Sequence, residues 1–376
     1  RVIVHGDPQP YSMAEIAWFG RDVMAEVARS AGLTPASADA PARGTPDTPA
    51  TPTFGISLGD LVGDNLDLYQ PFNETQAIAG IPWYAVKGNH DVNFLAADDT
   101  HAAETFIRVF GAADYAFQWG RAHFIALDDV VWKGPTYRND GSLNIGNYHG
   151  GLSDDQIAFV RNYLATVPRD ELIVLLMHIP LLSTSAQHSV ANRRELLEVL
   201  STHPHTLSLS GHTHLHRMIH FGSEDGYTAG TEHLHANLAT ASGSWYRGHL
   251  DIEGIPDATM LCGAPNGWNV LTIDGTDYAL EFVPARRPRD HQMSIWIPAD
   301  EIARATLAAG EAEVVVNVFA GSDRSRVRMR LRPTGGGSGS GSGRGGDSPA
   351  IAPTAWTDLT QTLRPDPFLE ARKALE

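Results

Sequence analysis

Three observations predict an α/β layered domain followed by a smaller all-β domain. Across residues 1–284 short apolar runs alternate with helical patterns, the sign of layered strands and helices. Beyond Pro284 the helical spacing gives way to strand-like alternation. The 376 residues also exceed the usual size of one domain, so a large unit, 1–284, and a small one, 285–376, are expected.

Taken in order, residues 2–4 read as the first strand. A helix follows, opened by a capping box of Ser12 and Glu15, with Ile16, Phe19, Val23 and Val27 on one face and Gly32 as its stop. Five prolines between Thr34 and Thr53 mark an exposed, non-helical excursion. Further strands are expected at 54–58, 83–86, 123–127, 172–177 and 206–209. A second capping box, Ser153 with Gln156, opens a helix through Ile157, Val160 and Leu164. In the small domain, 293–297 and 313–319 read as strands and 320–323 as a turn into 324–332. Residues 335–346 are almost pure Gly and Ser, a flexible linker in composition, after which 351–376 return to complete the small domain.

Composition narrows the function. With 28 basic against 44 acidic residues the net charge is −16, which argues against non-specific binding to duplex nucleic acid or anionic membranes. No apolar run reaches the ~18 residues of a membrane span. Seventeen histidines accompany a single cysteine, Cys262, so a metal here must rely on N and O ligands.

The six strands of the large domain end in polar clusters: Asp7-Pro8-Gln9, Gly59-Asp60, Gly88-Asn89-His90-Asp91, Asp128-Asp129, His178 and Gly211-His212-Thr213-His214. Open α/β sheets place their chemistry at the carboxyl ends of strands. Hydrolysing a phosphoester needs an activated water, neutralised phosphoryl charge and a protonated leaving group, and two divalent ions supply the first two. Asp7 and Gln9, two apart, can turn to one ion; Asp60 can bridge; Asn89 adds an amide oxygen; His178, His212 and His214 add imidazoles.

The ordered set GDPQ, GDLVGDN, GNHD, MHIP and GHTH resembles the calcineurin-like metallophosphoesterase family, whose pattern runs D-x-H, G-D, G-N-H-D/E, H and G-H-x-H. The resemblance covers residues 1–284 and implies a sandwich of two mixed β-sheets flanked by helices. It implies two divalent metals, Mn, Fe or Zn: one on Asp7, Gln9, Asp60 and His214, the other on Asp60, Asn89, His178 and His212. A metal-bridging hydroxide would attack phosphorus in line, His90 would serve the leaving oxygen as acid, and Asp64 would orient His90. The family usually has His where Gln9 stands, and a glutamine oxygen favours harder ions. The D-P-Q variant, the stretch 243–246 (GSWY) and the trailing β region are similar to a bacterial subgroup with an appended C-terminal domain. Many of that subgroup are secreted, so a periplasmic or secreted protein is expected, although this chain, which starts on a strand-like run, carries no signal peptide.

Phosphomonoesterase and phosphodiesterase share this ligand set; the sequence reading leans slightly to the monoesterase. The competing class is a non-catalytic metal-binding scaffold, against which stands a full set of coordinating residues. Cys262 has no histidine partner in sequence to make it a nucleophile. Substrate contacts beyond phosphate are expected from Arg138 and Tyr148 in the loop after Asp128-Asp129 and from Trp245, with ordinary loop packing as the alternative. His235, which alternates with His233, is a further candidate for phosphate contact, with an exposed surface position as the favoured alternative. Arg324, Arg326, Arg328, Arg330 and Arg332 alternate with uncharged residues, as a basic ridge for an anionic partner or, slightly preferred, a charge-guarded edge strand. The expected substrate is a phosphorylated small molecule or an extracellular phosphoester.

Overall fold

The structure is a computed structural model that describes residues 1–30, 54–297, 313–330, 355–362, 366–368 and 370. Its layering begins with the first strand, β1 (Val2–His5), which alternates between two apolar environments. Val2 and Val4 face one core, while Ile3 faces another shared with Ile16, Phe19 and Phe72. Strands β2 (Phe54–Ser57) and β3 (Trp83–Ala85) add to β1 in parallel; β12 (Gly267–Asp274) and β13 (Asp277–Pro284) complete the sheet antiparallel on its other side.

A second sheet of six strands runs β10 (Arg217–Phe221), β11 (His233–Asn237), β9 (Thr206–Ser210), β8 (Leu172–Leu176), β5 (Ala122–Ala126) and β4 (Tyr115–Trp119). Its four inner strands are parallel and both edges antiparallel. Strand β8 is buried on both faces, as its unbroken Leu-Ile-Val-Leu-Leu run requires. Leu172, Val174 and Leu176 meet Val4, Ile56 and Phe124 between the sheets, while Ile173 and Leu175 pack beneath the helices.

Those outer helices are α1 (Met13–Phe19), α2 (Ala25–Ser30) and α3 (Tyr69–Gln76) on the first sheet, and α6 (Asp154–Leu164) and α7 (Arg193–Leu200) on the second. A short helix α5 (Glu104–Phe110) adds Phe106 to the core under α1 to α3, while α4 (Asp99–Ala102) and a hairpin of β6 (Val130–Trp132) and β7 (Tyr148–Gly150) share a separate small apolar cluster. The result is the expected two-sheet sandwich flanked by helices. Among the described residues no helix is long and apolar enough to cross a membrane.

All six expected strands of the large domain are present, with ends within a residue of the expected ones. The Ser153–Gln156 box forms reciprocally. At Ser12 only half of the box forms: Ser12 accepts the Glu15 amide, but the Glu15 carboxylate takes the Tyr11 amide instead. The first helix is also not continuous, for Gly20–Met24 widens into a π-helical turn before α2. The expected stop at Gly32, the proline excursion and the Gly/Ser linker lie outside the described residues.

Strands β14 (Met293–Trp296) and β15 (Val315–Val318) pair antiparallel, and Phe319 just beyond them packs on Phe282 of the sandwich at 6.3 Å between ring centres. The arginine ridge differs from expectation. Among the described residues of the ridge only Arg328–Met329 (β16) is strand, paired with Thr357–Asp358 (β17). Arg324 forks onto Glu232 at 2.6 and 2.7 Å, and Arg326 onto Asp358 at 2.9 and 2.8 Å. Arg328 and Arg330 lie over Trp356, and Arg332 is outside the described residues. Acids and a ring within the chain thus occupy these cations, because the local backbone turns at 323–324 instead of extending.

Candidate metal centre

Loops leaving the carboxyl ends of β1, β2, β3, β8 and β9 meet above the junction of the two sheets. Their backbone is strained in one place. Asp7, Gln9, Asp60, Asp64, His212 and His214 all have positive φ, between 40° and 74°. Such a conformation costs a non-glycine residue about 1–3 kcal/mol and persists only where surrounding structure imposes it. Glycines make room beside them. A Cβ on Gly88 would strike the amide and carboxylate of Asp60, and one on Gly211 would lie 2.5 Å from Asp7 Oδ2.

Lone pairs converge here. His178 is fully buried, and its Nδ1–H donates to the Leu58 carbonyl at 2.8 Å, so Nε2 faces inward. Around that Nε2 lie Asn89 Oδ1 at 3.0 Å, His212 Nδ1 at 3.1 Å and Asp60 Oδ1 at 3.3 Å. Ligand atoms of Asp60, His178 and His212 all fall within 4.8 Å of one another. Beside them His214 donates Nδ1–H to the Gly243 carbonyl, which turns Nε2 toward Asp7 Oδ1 at 3.7 Å. Binding one ring nitrogen to a carbonyl so that the other presents its lone pair is how metal-ligating imidazoles are oriented. Asp7 in turn accepts the His212 amide at 2.9 Å, and Asp60 accepts the His90 amide at 2.8 Å.

The charges make the same point. Burial and the neighbouring Asp60 push the Asp7 carboxyl up to about 7, although His178 opposes them. Burial also works against the Asp60 carboxylate, but His178 and His90 more than offset it and hold Asp60 below the ordinary range. Burial opposes the charged form of His178 too, yet Asp60 and Asp7 raise it to about 10. A proton on His178 here occupies the middle of a nest of acceptors. Burial keeps His212 and His214 neutral, the latter pushed down to about 4, as nitrogen ligands must be. Buried carboxylates, an amide oxygen and neutral imidazoles around one space are a donor set that fits divalent cations.

His90 and Asp64 stand as a pair at the edge, with His90 Nδ1 2.6 Å from Asp64 Oδ1 and Nε2 4.0 Å from Asp60 Oδ2. Gln9 is buried, but its oxygen already accepts the Trp245 indole N–H at 2.7 Å, and its amide donates to the Tyr11 hydroxyl at 3.0 Å. An indole nitrogen is donor-only, so the amide cannot face the other way. Gln9 therefore holds Trp245 and offers an ion only its second lone pair. The Trp245 ring lies 4.4 Å from that of His214, and Tyr148 lies edge-on to His212 at 6.1 Å.

Two expected substrate residues do not join them. Arg138 is exposed at a turn where its amide donates to Ser142, and among the described residues no contact links it to this centre. His235 is 1% exposed inside the second sheet, neither on the surface nor open to phosphate. Its Nδ1 meets Ser208 at 2.7 Å and its Nε2 takes the Leu181 amide at 3.2 Å; His233 is likewise held by Thr206 and Ser208. The serines on the outward face of β9 are what bury these imidazoles, a polar register that alternation alone does not reveal.

Sequence reasoning missed His188, whose Nδ1 is 2.7 Å from His212 Nε2. It also gave no role to Asp91, which accepts the Gly88 and Leu61 amides, or to Asp129, which accepts those of His178 and Ile179. The clue for these two was their place beside strand ends. Residues 55–59 spell G-x-S-x-G, yet Ser57 is buried in β2 between His5 and Gln76 and offers no exposed nucleophile. Burial raises the pKa of the Cys262 thiol, and Sγ receives backbone amides such as that of His216.

The model of the family described as calcineurin-like phosphoesterase matches residues 47–216, and that described as the C terminal of calcineurin-like phosphoesterase matches 232–335. The chain belongs to the calcineurin-like phosphoesterases. This family's members are metal-dependent phosphoesterases, consistent with the donor set above. Among curated relatives, a probable glycerophosphodiester phosphodiesterase, GpdQ, of Arcobacter nitrofigilis is 26% identical over 170 residues, 43% of this chain and 57% of that protein. The 3′,5′-cyclic adenosine monophosphate phosphodiesterase CpdA of Escherichia coli K12 is 32% identical over 167 residues, 42% of this chain and 53% of that protein. The chain thus spans about half the length of the curated relatives it matches. A dimetal phosphatase from Danio rerio aligns with 85% of this chain and 98% of its own at 11% identity, with a TM-score of 0.49.

Proposed function

We propose that this calcineurin-like phosphoesterase hydrolyses phosphodiesters by in-line displacement with water, at two divalent cations. Asp7, Asp60 and His214, with the spare lone pair of Gln9, would hold one; Asp60, Asn89, His178 and His212 would hold the other. When bound, the cations lower the pKa of water and neutralise phosphoryl oxygens. The residues supply the rest. Leu58 and Gly243 carbonyls fix the His178 and His214 rings, so their inward nitrogens need no reorganisation.

The observation that carries the diester reading is the His90–Asp64 pair. Asp64 holds His90 by Nδ1, which leaves Nε2 to deliver a proton to the departing oxygen. An alkoxide or phenoxide leaving from a diester needs that proton. Two curated relatives named as phosphodiesterases support the same choice over the monoester to which sequence reasoning leans.

The test is hydrolysis of bis-p-nitrophenyl phosphate and p-nitrophenyl phosphate after chelation and re-addition of Mn²⁺, Zn²⁺ or Fe²⁺. Metal-restored turnover favouring the diester, and abolished in Asp60→Ala, is expected. Absence of turnover with either ester, despite two metals bound per chain, would return the scaffold alternative; preference for the monoester would overturn the diester assignment.

A further inference from the structure

Trp245 and Arg247 have a place beside this centre that the hydrolytic chemistry does not use. Resting on the phosphoester reading above, we propose that Arg247, seated on the indole of Trp245, binds a second oxyanion of the substrate, a carboxylate or phosphate beyond the phosphorus that is cleaved.

The argument starts at Gln9. Its oxygen fixes the Trp245 indole N–H, and the indole then lies against the His214 ring. The Arg247 guanidinium carbon sits 4.8 Å from the centre of that same indole. One ring therefore joins a proposed ligand of the cation to a cation of the protein. Placement is enforced by backbone strain, with φ of 65° at Trp245 and 49° at Tyr246. Tyr246 is anchored by burial against Trp18, and Gly243 by the bond from His214. Nothing in local propensity favours two successive left-handed aromatic residues, so the surroundings hold this turn where it is.

Arg247 is exposed, and among the described residues its guanidinium makes no ion pair or hydrogen bond. It differs in this from Arg286, Arg289, Arg324 and Arg326, each of which is paired with carboxylates. Stacking on an indole uses the face of a guanidinium and leaves its N–H edges free. Those edges make a planar fork, the shape that takes an oxyanion through two parallel hydrogen bonds. An exposed guanidinium one indole away from His214 is placed to grip a negative group that the metals do not reach.

The test compares phenylphosphonate with 4-carboxyphenylphosphonate, which are not hydrolysed and differ only in the second anion. Each is titrated calorimetrically into the manganese-loaded full chain. The carboxylated compound should bind about tenfold more tightly, the scale of one bidentate charge-assisted contact. That preference should vanish in Arg247→Gln and fall to about threefold in Arg247→Lys, which keeps the charge but loses the fork. Equal binding of the two compounds by the unmodified chain, or full preference retained in Arg247→Gln, overturns the proposal. Preference as predicted in a chain that does not turn over bis-p-nitrophenyl phosphate would support it while removing the hydrolase reading alone.

Discussion

Replacing Asp64 by Asn isolates the proposed proton donor, His90, without touching any proposed metal ligand. In the structure His90 gives its Nδ1 side to Asp64 at 2.6 Å, with the His90 ring 18% exposed and the Asp64 side chain 31% exposed. Burial disfavours the charged imidazole, but Asp60 and then Asp64 more than offset it, so the His90 pKa is raised. A hydrogen bond to a charged group contributes about 1.5–3 kcal/mol. Solvent near Asp64 screens part of that, and roughly 1 kcal/mol is left to lose. Since one pKa unit is about 1.4 kcal/mol, His90 should titrate about 0.7 unit lower in Asp64→Asn. The acid must carry its proton to act, so the alkaline limb of kcat/KM should move down in pH by that amount. The loss in kcat/KM at pH 8 should be up to about fivefold, the equivalent of that ~1 kcal/mol, with diphenyl phosphate, whose leaving group needs a proton. It should be smaller with bis-p-nitrophenyl phosphate, whose leaving group hardly does. Equal losses with both esters and an unmoved alkaline limb would refute the assignment of His90 as acid.

Three further outcomes are expected. His188→Ala removes the group 2.7 Å from His212 Nε2 and should weaken Mn²⁺ affinity about 10- to 100-fold by calorimetry, with the fold intact by circular dichroism. Chelation should lower the thermal midpoint by several degrees, because a ligand at 100 times its Kd stabilises the folded state by about 2.7 kcal/mol; an unchanged midpoint would show that these side chains hold no ion. In the chelated protein, stability should peak near neutral pH by denaturant titration. As pH falls below about 6.5, the reference pKa of His, burial keeps His5, His233 and His235 neutral down to about 3 and His214 and His216 down to about 4. The unfolded chain binds those protons first, so stability is lost on the acid side. His178, raised to about 10, contributes stability that is present below about 6.5 and lost as pH rises toward 10; re-addition of metal should remove that alkaline loss.

Much of the centre was legible because its residues sit at the first positions after strands. Val2, Phe54, Trp83, Leu172 and Thr206 begin runs whose alternation or unbroken apolarity marks them as strands. The segment after each run is short and polar, and five such clusters in order are far more specific than any one. Contacts beyond the clusters were not legible. His188 belongs to a loop after β8 with no periodic signal, and only the tertiary fold brings it to His212. His235 was misplaced because its alternation with His233 gives two faces without saying which is outside. Serines on a neighbouring strand, 25 residues away in sequence, decided that. The arginines from Arg324 onward read as a strand by their period, but their fork geometry found Glu232 and Asp358 instead.

By itself the amino-acid order determined which strands form, which residue types come after them and hence the inventory of donors: Asp7, Asp60, Asn89, His178, His212 and His214. Local rules suffice for that, since alternation, capping and glycine placement act over a few residues. Only the tertiary structure decided which lone pair each donor presents, that Gln9 is held by Trp245, and that Arg247 lies over the same indole. Those outcomes depend on carbonyls and rings separated by up to 236 positions along the chain. Hydrogen-bond orientation is settled by groups about 3 Å away in space, and short-range sequence carries no record of them.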